Sequence, residues 1–199
     1  MSEKIKKTRP ELLRQRRQLS MFQRFLPTLV LKKQQIQSEI LKVRTEAQKL
    51  DKLMEQKIRE SIGWKMLFSE SLPGPITRYV KVKNIQRGIR NVAGIKLPIV
   101  SKVEYEVSDY SRFATPMWVD AGLEFLKDLL ELREKLIVIH EQEHLLQKEL
   151  RKVTQRVNLF EKVMIPQATE NIKTIRITLA EEQTSAVGRS KIAKSKSVN

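Results

Sequence analysis

One stretch of this chain has residue types and spacing that match a reaction centre: His140, Glu141, Gln142, Glu143 and His144. The H-E-x-x-H pattern sets two imidazoles on one helical face, where they hold zinc while the first glutamate acts as general base for hydrolysis. A zinc site of that kind needs a third protein donor, and Glu161 and Glu170 are the carboxylates to consider. By helical rise each lies roughly 25 Å or more from His144 along the same helix or its continuation, and a single helix cannot wrap a metal in that way. In the heptad described below, His140 and His144 flank the apolar seam and Glu143 falls on it. The element therefore reads as solvated coiled coil, not as the wall of a cleft.

No other catalytic pattern is present. The chain has no Gly-rich phosphate loop and no G-x-S-x-G. Glu104 and Glu106 share one face of a strand, which reads as a solvated face. Trp64, Trp118, Tyr105, Tyr110 and Phe113 gather in sequence around the middle of the chain, and packing beneath a small sheet explains them better than base stacking. The sequence thus assigns no catalytic residue, no cofactor and no metal.

The elements that would carry any such residue are long. The 199 residues include 6 glycines and 7 prolines, and charged residues make up 31%. Most of the prolines and half the glycines fall between positions 72 and 116, leaving two long flanks with few breakers. There is no cysteine, which fits a reducing compartment. No apolar run approaches the roughly 20 residues of a membrane span, and "MSEKIKKTRPELL" lacks the apolar core of a signal peptide. A cytoplasmic protein without membrane insertion is expected. The net charge of +16 is concentrated at the ends: residues 1–35 hold ten Lys/Arg against Glu3 and Glu11, and residues 184–199 hold four against no acid. Basic ends suit a polyanion or an acidic protein cavity.

In the first flank Leu12, Leu19, Leu26, Ile40, Ala47 and Met54 occupy one heptad position, and Phe22, Leu29, Ile36, Val43 and Leu50 the other. The alternating three-four spacing predicts a coiled-coil helix over 11–62, broken by Gln15, Lys33 and Lys57. The second flank repeats the pattern through Leu129, Leu132, Leu136, Ile139, Leu146, Leu150, Val153, Val157, Phe160 and Met164, then Ala168, Ile172, Ile175 and Leu179. This predicts a helix over 117–182, with a basic tail over 183–199. Extra steps of four fall at Pro166, so a kink there coincides with a change of register, and Pro27 marks a kink in the first helix.

Between the flanks the period changes to two. Val80 and Val82 alternate with Lys81 and Lys83, and Val103, Tyr105 and Val107 with Glu104 and Glu106. Gly74, Gly88, Gly94, Pro98 and Pro116 punctuate the segment. A head over 63–116, with a β-hairpin at about 76–107, is expected. The fold class is mainly α: one elongated domain in which the flanks fold back as an antiparallel two-helix coiled coil carrying the hairpin. With the two prolines at one level, Leu12 would meet Glu181 and Lys57 would meet Leu136, without overhang. Lys4, Lys6, Lys7, Lys191, Lys194 and Lys196 would then form one basic tip.

Three segments resemble the D subunit of the V-type and archaeal-type rotary ATPases, in its bacterial branch: "KKTRPELLRQRRQL" from Lys6, "NVAGIKLPIV" from Asn91, and "RVNLFEKVMIPQATENIKTIRITLAEE" from Arg156. Asn158, Glu161, Ile165 and Pro166 carry the more specific part of the likeness. The resemblance implies a non-catalytic rotor shaft passing torque between a nucleotide-hydrolysing or synthesising ring and the ion-translocating membrane rotor. It implies as partners the catalytic and non-catalytic ring subunits, the F subunit and the connector to the membrane rotor, at a site peripheral to the membrane. The residues alone also admit a basic coiled coil that tracks nucleic-acid phosphates, or a helical scaffold dimer.

Overall fold

The computed structural model describes residues 5–61, 79–110 and 115–197. Helix α1 spans Arg9–Glu60, strands β1 and β2 span Val80–Val92 and Ile95–Val107, helix α2 spans Trp118–Leu159, and helix α3 spans Ile165–Ser197. A single π turn, Phe160–Met164, joins α2 to α3. The single domain expected from the sequence divides into two compact units: Met1–Lys33 with Arg151–Asn199, and Gln34–Leu150.

Helix α1 begins where its sequence provides for it. The Thr8 carbonyl accepts the first helical N–H, from Leu12, at 3.0 Å. Pro10 sits in the first turn, where its missing donor costs nothing, and Glu11 there faces the positive end of the helix dipole. Lys57 and Arg59 lie in the last turn, at the negative end. Pro27 lies inside the helix, on an exposed face, and the helix runs on through it.

Pro166 is accommodated by the turn in front of it. A proline ring collides with the carbonyl four residues back, here that of Lys162. The chain widens at that point: the Ile165 N–H donates to the Phe160 carbonyl, five residues back, and Pro166 then falls in the first turn of α3. The steps of four from Phe160 through Met164 and Ala168 to Ile172 are the trace of this wide turn in the apolar pattern.

In the first unit, Phe22 of α1 packs edge-on against Phe160, ring centroids 5.2 Å apart, and Asn171 of α3 reaches Gln15. In the second, Arg44 meets Glu143 and Lys57 meets Asp128. Numbers rise on one partner as they fall on the other, so the pairing is antiparallel in each unit. The register differs from that expected from the prolines. Lys57 faces Asp128 in place of Leu136, a displacement of about one heptad. Side-chain complementarity sets the register, and the prolines take no part in it. Past Gln183, which still lines a groove with Arg9, Leu12 and Leu13, α3 continues to Ser197. The matched ends expected above are therefore replaced by an overhang, and helix persists beyond the boundary expected at residue 182.

The seam positions are all covered. Phe22, Ile36, Ile40, Val43, Leu136, Ile139, Leu146, Val153, Val157, Ile172 and Ile175 are buried, and Leu12, Leu19, Leu26, Leu29, Leu50, Met54, Leu150, Phe160, Met164 and Leu179 are half-buried. Ile36, Leu146 and Ile175 are fully enclosed.

The hairpin is antiparallel, with Val80 opposite Val107 and Val92 opposite Ile95. Its turn places Ala93 at φ 51° and Gly94 at φ 80°. Two left-handed residues in succession mark the tight turn whose twist matches that of the strands. Irregularities fall between Val82 and Asn84 and between Gln86 and Arg87. Lys83 is the extra residue at the first, which is why the alternation read from Val80 stops there. At the base, Tyr79, Tyr105, Tyr110 and Trp118 pack around Val80, Val119 and Leu123. This is the expected packing beneath the sheet; Trp64 and Phe113 lie outside the described residues.

Ile36→Ala or Leu146→Ala should lower unfolding free energy by about 2–5 kcal/mol, as core truncations do, whereas Leu41→Ala, on an exposed face, should change it by less than about 0.5 kcal/mol. Urea denaturation followed by circular dichroism measures both. Ala93→Gly should stabilise the hairpin by up to about 1 kcal/mol, since glycine adopts the left-handed conformation without the Cβ penalty. Slower amide exchange in β1 and β2 reports it.

Candidate functional site

The histidine-flanked segment is a docking site. Its three central residues each reach a different element of the second unit. Glu141 pairs with Arg87 of β1 at 3.3 Å. Gln142 is buried and its Nε2 donates to the Pro98 carbonyl of β2 at 2.5 Å. Glu143 accepts from Arg44 Nε of α1 at 2.7 Å and from Gln147 Nε2 at 2.8 Å. His140 and His144 point to solvent. The glutamate that hydrolysis would need as base is therefore tied to a guanidinium, and among the described residues no group of three or more metal-ligating side chains converges. One expectation is corrected: Gln142, not Glu143, takes the more buried position. The proline keeps its carbonyl as an acceptor, and the buried glutamine supplies a donor to it.

A second contact secures the hairpin. Glu39 of α1 is buried although charged, and Arg90 of β1 and Lys42 both bond its carboxylate. A buried carboxylate without such partners would be costly. Neither Glu39 nor Gln142 stood out in the sequence. The available signal was a polar residue next to the seam, which many exposed positions share. Tyr105 donates its hydroxyl to the Lys127 carbonyl at 3.1 Å. Burial, and then the carboxylates of Glu131, Asp128 and Glu134, push its phenol above the ordinary value of 10.0, so it remains a neutral donor.

The Glu143 carboxyl titrates below its ordinary 4.5, chiefly through the hydrogen bond from Arg44, with burial opposing. A lowered carboxylate contributes stability that is present above the unfolded value and is lost as pH falls through the folded one.

The first unit presents a different surface. Lys6, Lys7, Lys191, Lys194 and Lys196 are exposed, and Lys4 lies outside the described residues. The overhang of α3 separates the last three from the start of α1 along the helix, so the single basic tip is not formed as expected. Leu13, Met21, Phe25, Leu31, Leu159 and Val163 are also about half exposed or more, interleaved with Arg14, Arg17 and Arg24. Apolar side chains left in water at this density, on helices whose opposite face is already packed, mark a surface made to be covered.

An antiparallel helical pair with a hairpin locked on by ion pairs, and a basic-apolar outer face, defines a part of an assembly. The family described as the D subunit of ATP synthase matches residues 11–195. A V-type ATP synthase D subunit from Borreliella burgdorferi is 46% identical over 193 residues, covering 96% of this chain and 94% of the other. Proteins of the same description from Chlamydia pneumoniae and Chlamydia felis are 34% and 33% identical, each aligned over 98% of this chain. The chain belongs to the D-subunit family of the V-type ATP synthases, and is thereby a component of a rotary ATPase.

Arg90→Ala should cost about 1–3 kcal/mol, because it strips a partner from a buried carboxylate, whereas Arg87→Ala, between two half-exposed groups, should cost less than about 1 kcal/mol. Glu143→Gln should flatten the fall in stability on acidification below pH 4.5. Thermal melts of the variants between pH 3 and 7 would show it, the limits being roughly one unit or more either side of the ordinary carboxylate range.

Proposed function

We propose that this protein is the central rotor shaft of the complex, passing torque between the ring that hydrolyses or makes ATP and the ion-translocating membrane rotor. The observation that carries the reading is the outer face of the first unit, where exposed apolar side chains and cations cover a helical pair whose inner seam is closed. Such a pair suits enclosure by catalytic and non-catalytic ring subunits. Knob-into-hole contacts along the seam resist twisting. In this reading Pro27, inside α1, and Pro166, behind the wide turn, are the places where the shaft bends. An irregular shaft presses differently on each surrounding subunit and so holds their nucleotide sites in different states.

The hairpin-bearing unit is left for docking to the F subunit and to the connector that leads to the membrane rotor. In this reading the nucleotide chemistry belongs to the ring, and the shaft is its non-catalytic partner. Among the described residues no helix is long and apolar enough to cross a membrane, which suits a peripheral position on the cytoplasmic side. Smeared positive charge from Lys4, Lys6, Lys7, Lys191, Lys194 and Lys196 attracts a neutral or acidic lining without fixing one partner, as a turning contact requires.

Affinity purification of the tagged chain from its native membranes should bring down a nucleotide-hydrolysing ring in fixed proportion. Recovery of nucleic acid in place of the ring would refute the reading. Neutralising the six lysines together should weaken assembly, and raising salt from 50 to 500 mM, which shortens the Debye length from about 14 to about 4 Å, should shrink the difference from the parent.

A further inference from the structure

The last part of α3 has no visible reason to be helical in water. Ala168, Ile172 and Ile175 bury its first half, but from Glu181 to Lys196 every residue is exposed except the half-buried Gly188. Val187 and Ile192 are 55% and 60% exposed. Isolated helices of this length are marginal even with strong helix formers, and most helices in proteins are held by packing. This segment has neither support. Gly188 is the weakest helix former short of proline, and Val187 and Thr184 are β-branched. The hydroxyls of Thr184, Ser190 and Ser195 turn back onto the carbonyls of Ala180, Val187 and Ile192. Bonds of that kind give the backbone little and tend to bend or weaken helices. After Glu182 the sequence holds Arg189, Lys191, Lys194 and Lys196 and no acid, so the tail has no glutamate-to-lysine steps of its own to reinforce a helix.

We infer that residues 183–197 are a fold-on-assembly contact: frayed in the free protein, helical when enclosed by a protein surface whose lining is uncharged or acidic. Gly188 sets the balance. The partner chemistry follows from the composition of the segment. Four cations and no acid favour carboxylates or polar groups around them, and Val187 and Ile192 need apolar cover. The inference rests on the shaft reading, which supplies the enclosing ring. Ordering the tail at assembly subtracts from affinity, so a tail already helical should bind more tightly. A Cβ at Gly188 would meet no atom within 4 Å, so alanine fits there without disturbing the fold.

Amide hydrogen exchange on the full-length protein, free and in the complex reconstituted with its ring subunits, tests this. In the free protein the amides of 185–197 should exchange within about tenfold of the unstructured rate while those of 172–179 stay protected. In the complex the same tail amides should slow by about a hundredfold or more. Gly188→Ala should tighten ring binding by up to about fivefold, the equivalent of its helix-propensity gain, and slow tail exchange in the free protein measurably but by less than that factor, because the parent tail is mostly frayed. A tail protected in the free parent protein, or a Gly188→Ala variant that exchanges and binds like the parent, overturns the inference. So does a tail that still exchanges freely inside an assembled complex, an outcome that leaves the shaft reading intact. Absence of the protein from the ring overturns both, and purification alone reveals it.

Discussion

Everything in this chain depends on burying one apolar stripe against another. Helices of this length, rich in charge, gain little from propensity alone, and their stability comes from the covered face. Ile36, Val43, Leu146 and Ile175 are enclosed because each lies on such a stripe, three or four residues from the next. The opposite faces are free to carry charge, and they do. A packed inner seam and a loaded outer surface are two results of one pattern.

The polar contacts are subordinate to the seam but decide what is attached to it. A ribbon of two strands is barely stable alone. Here it is held through Arg87, Arg90 and Pro98 to Glu141, Glu39 and Gln142, all on the helices of its own unit. The residues that imitate a zinc site supply two of these three fastenings. The two uses share sequence and not a face: a metal site would need His140 and His144, one turn apart on one side of the helix, whereas the structure uses Glu141 and Gln142, which point about 100° apart around it.

Much of the fold was legible in advance. The three-four spacing located both flanks, the change to period two located the hairpin, and residues 80–107 fall inside the stretch expected for it. The polar partners were not legible, since Glu39 and Gln142 look like any residue beside a seam until a strand is placed over them. Nor was the register: Pro27 and Pro166 are conspicuous in sequence, yet a missing N–H alters bonding only within each helix and does not select which residue lies opposite. The wide turn was visible only as a run of fours, which a bend and a local change of helix type would both produce.

The sequence by itself determined the kinds of element, their order and the faces they cover, because helical and strand periods are local properties of consecutive side chains. It also determined the charge at the ends and, through the likeness of its segments, the family. Tertiary structure alone decided which turn of one helix lies beside which turn of the other, that α3 outruns its partner, and that a hydrolytic motif is used to fasten a hairpin. These depend on complementarity between residues far apart in the chain, such as Lys57 with Asp128, and no local period encodes such a pairing.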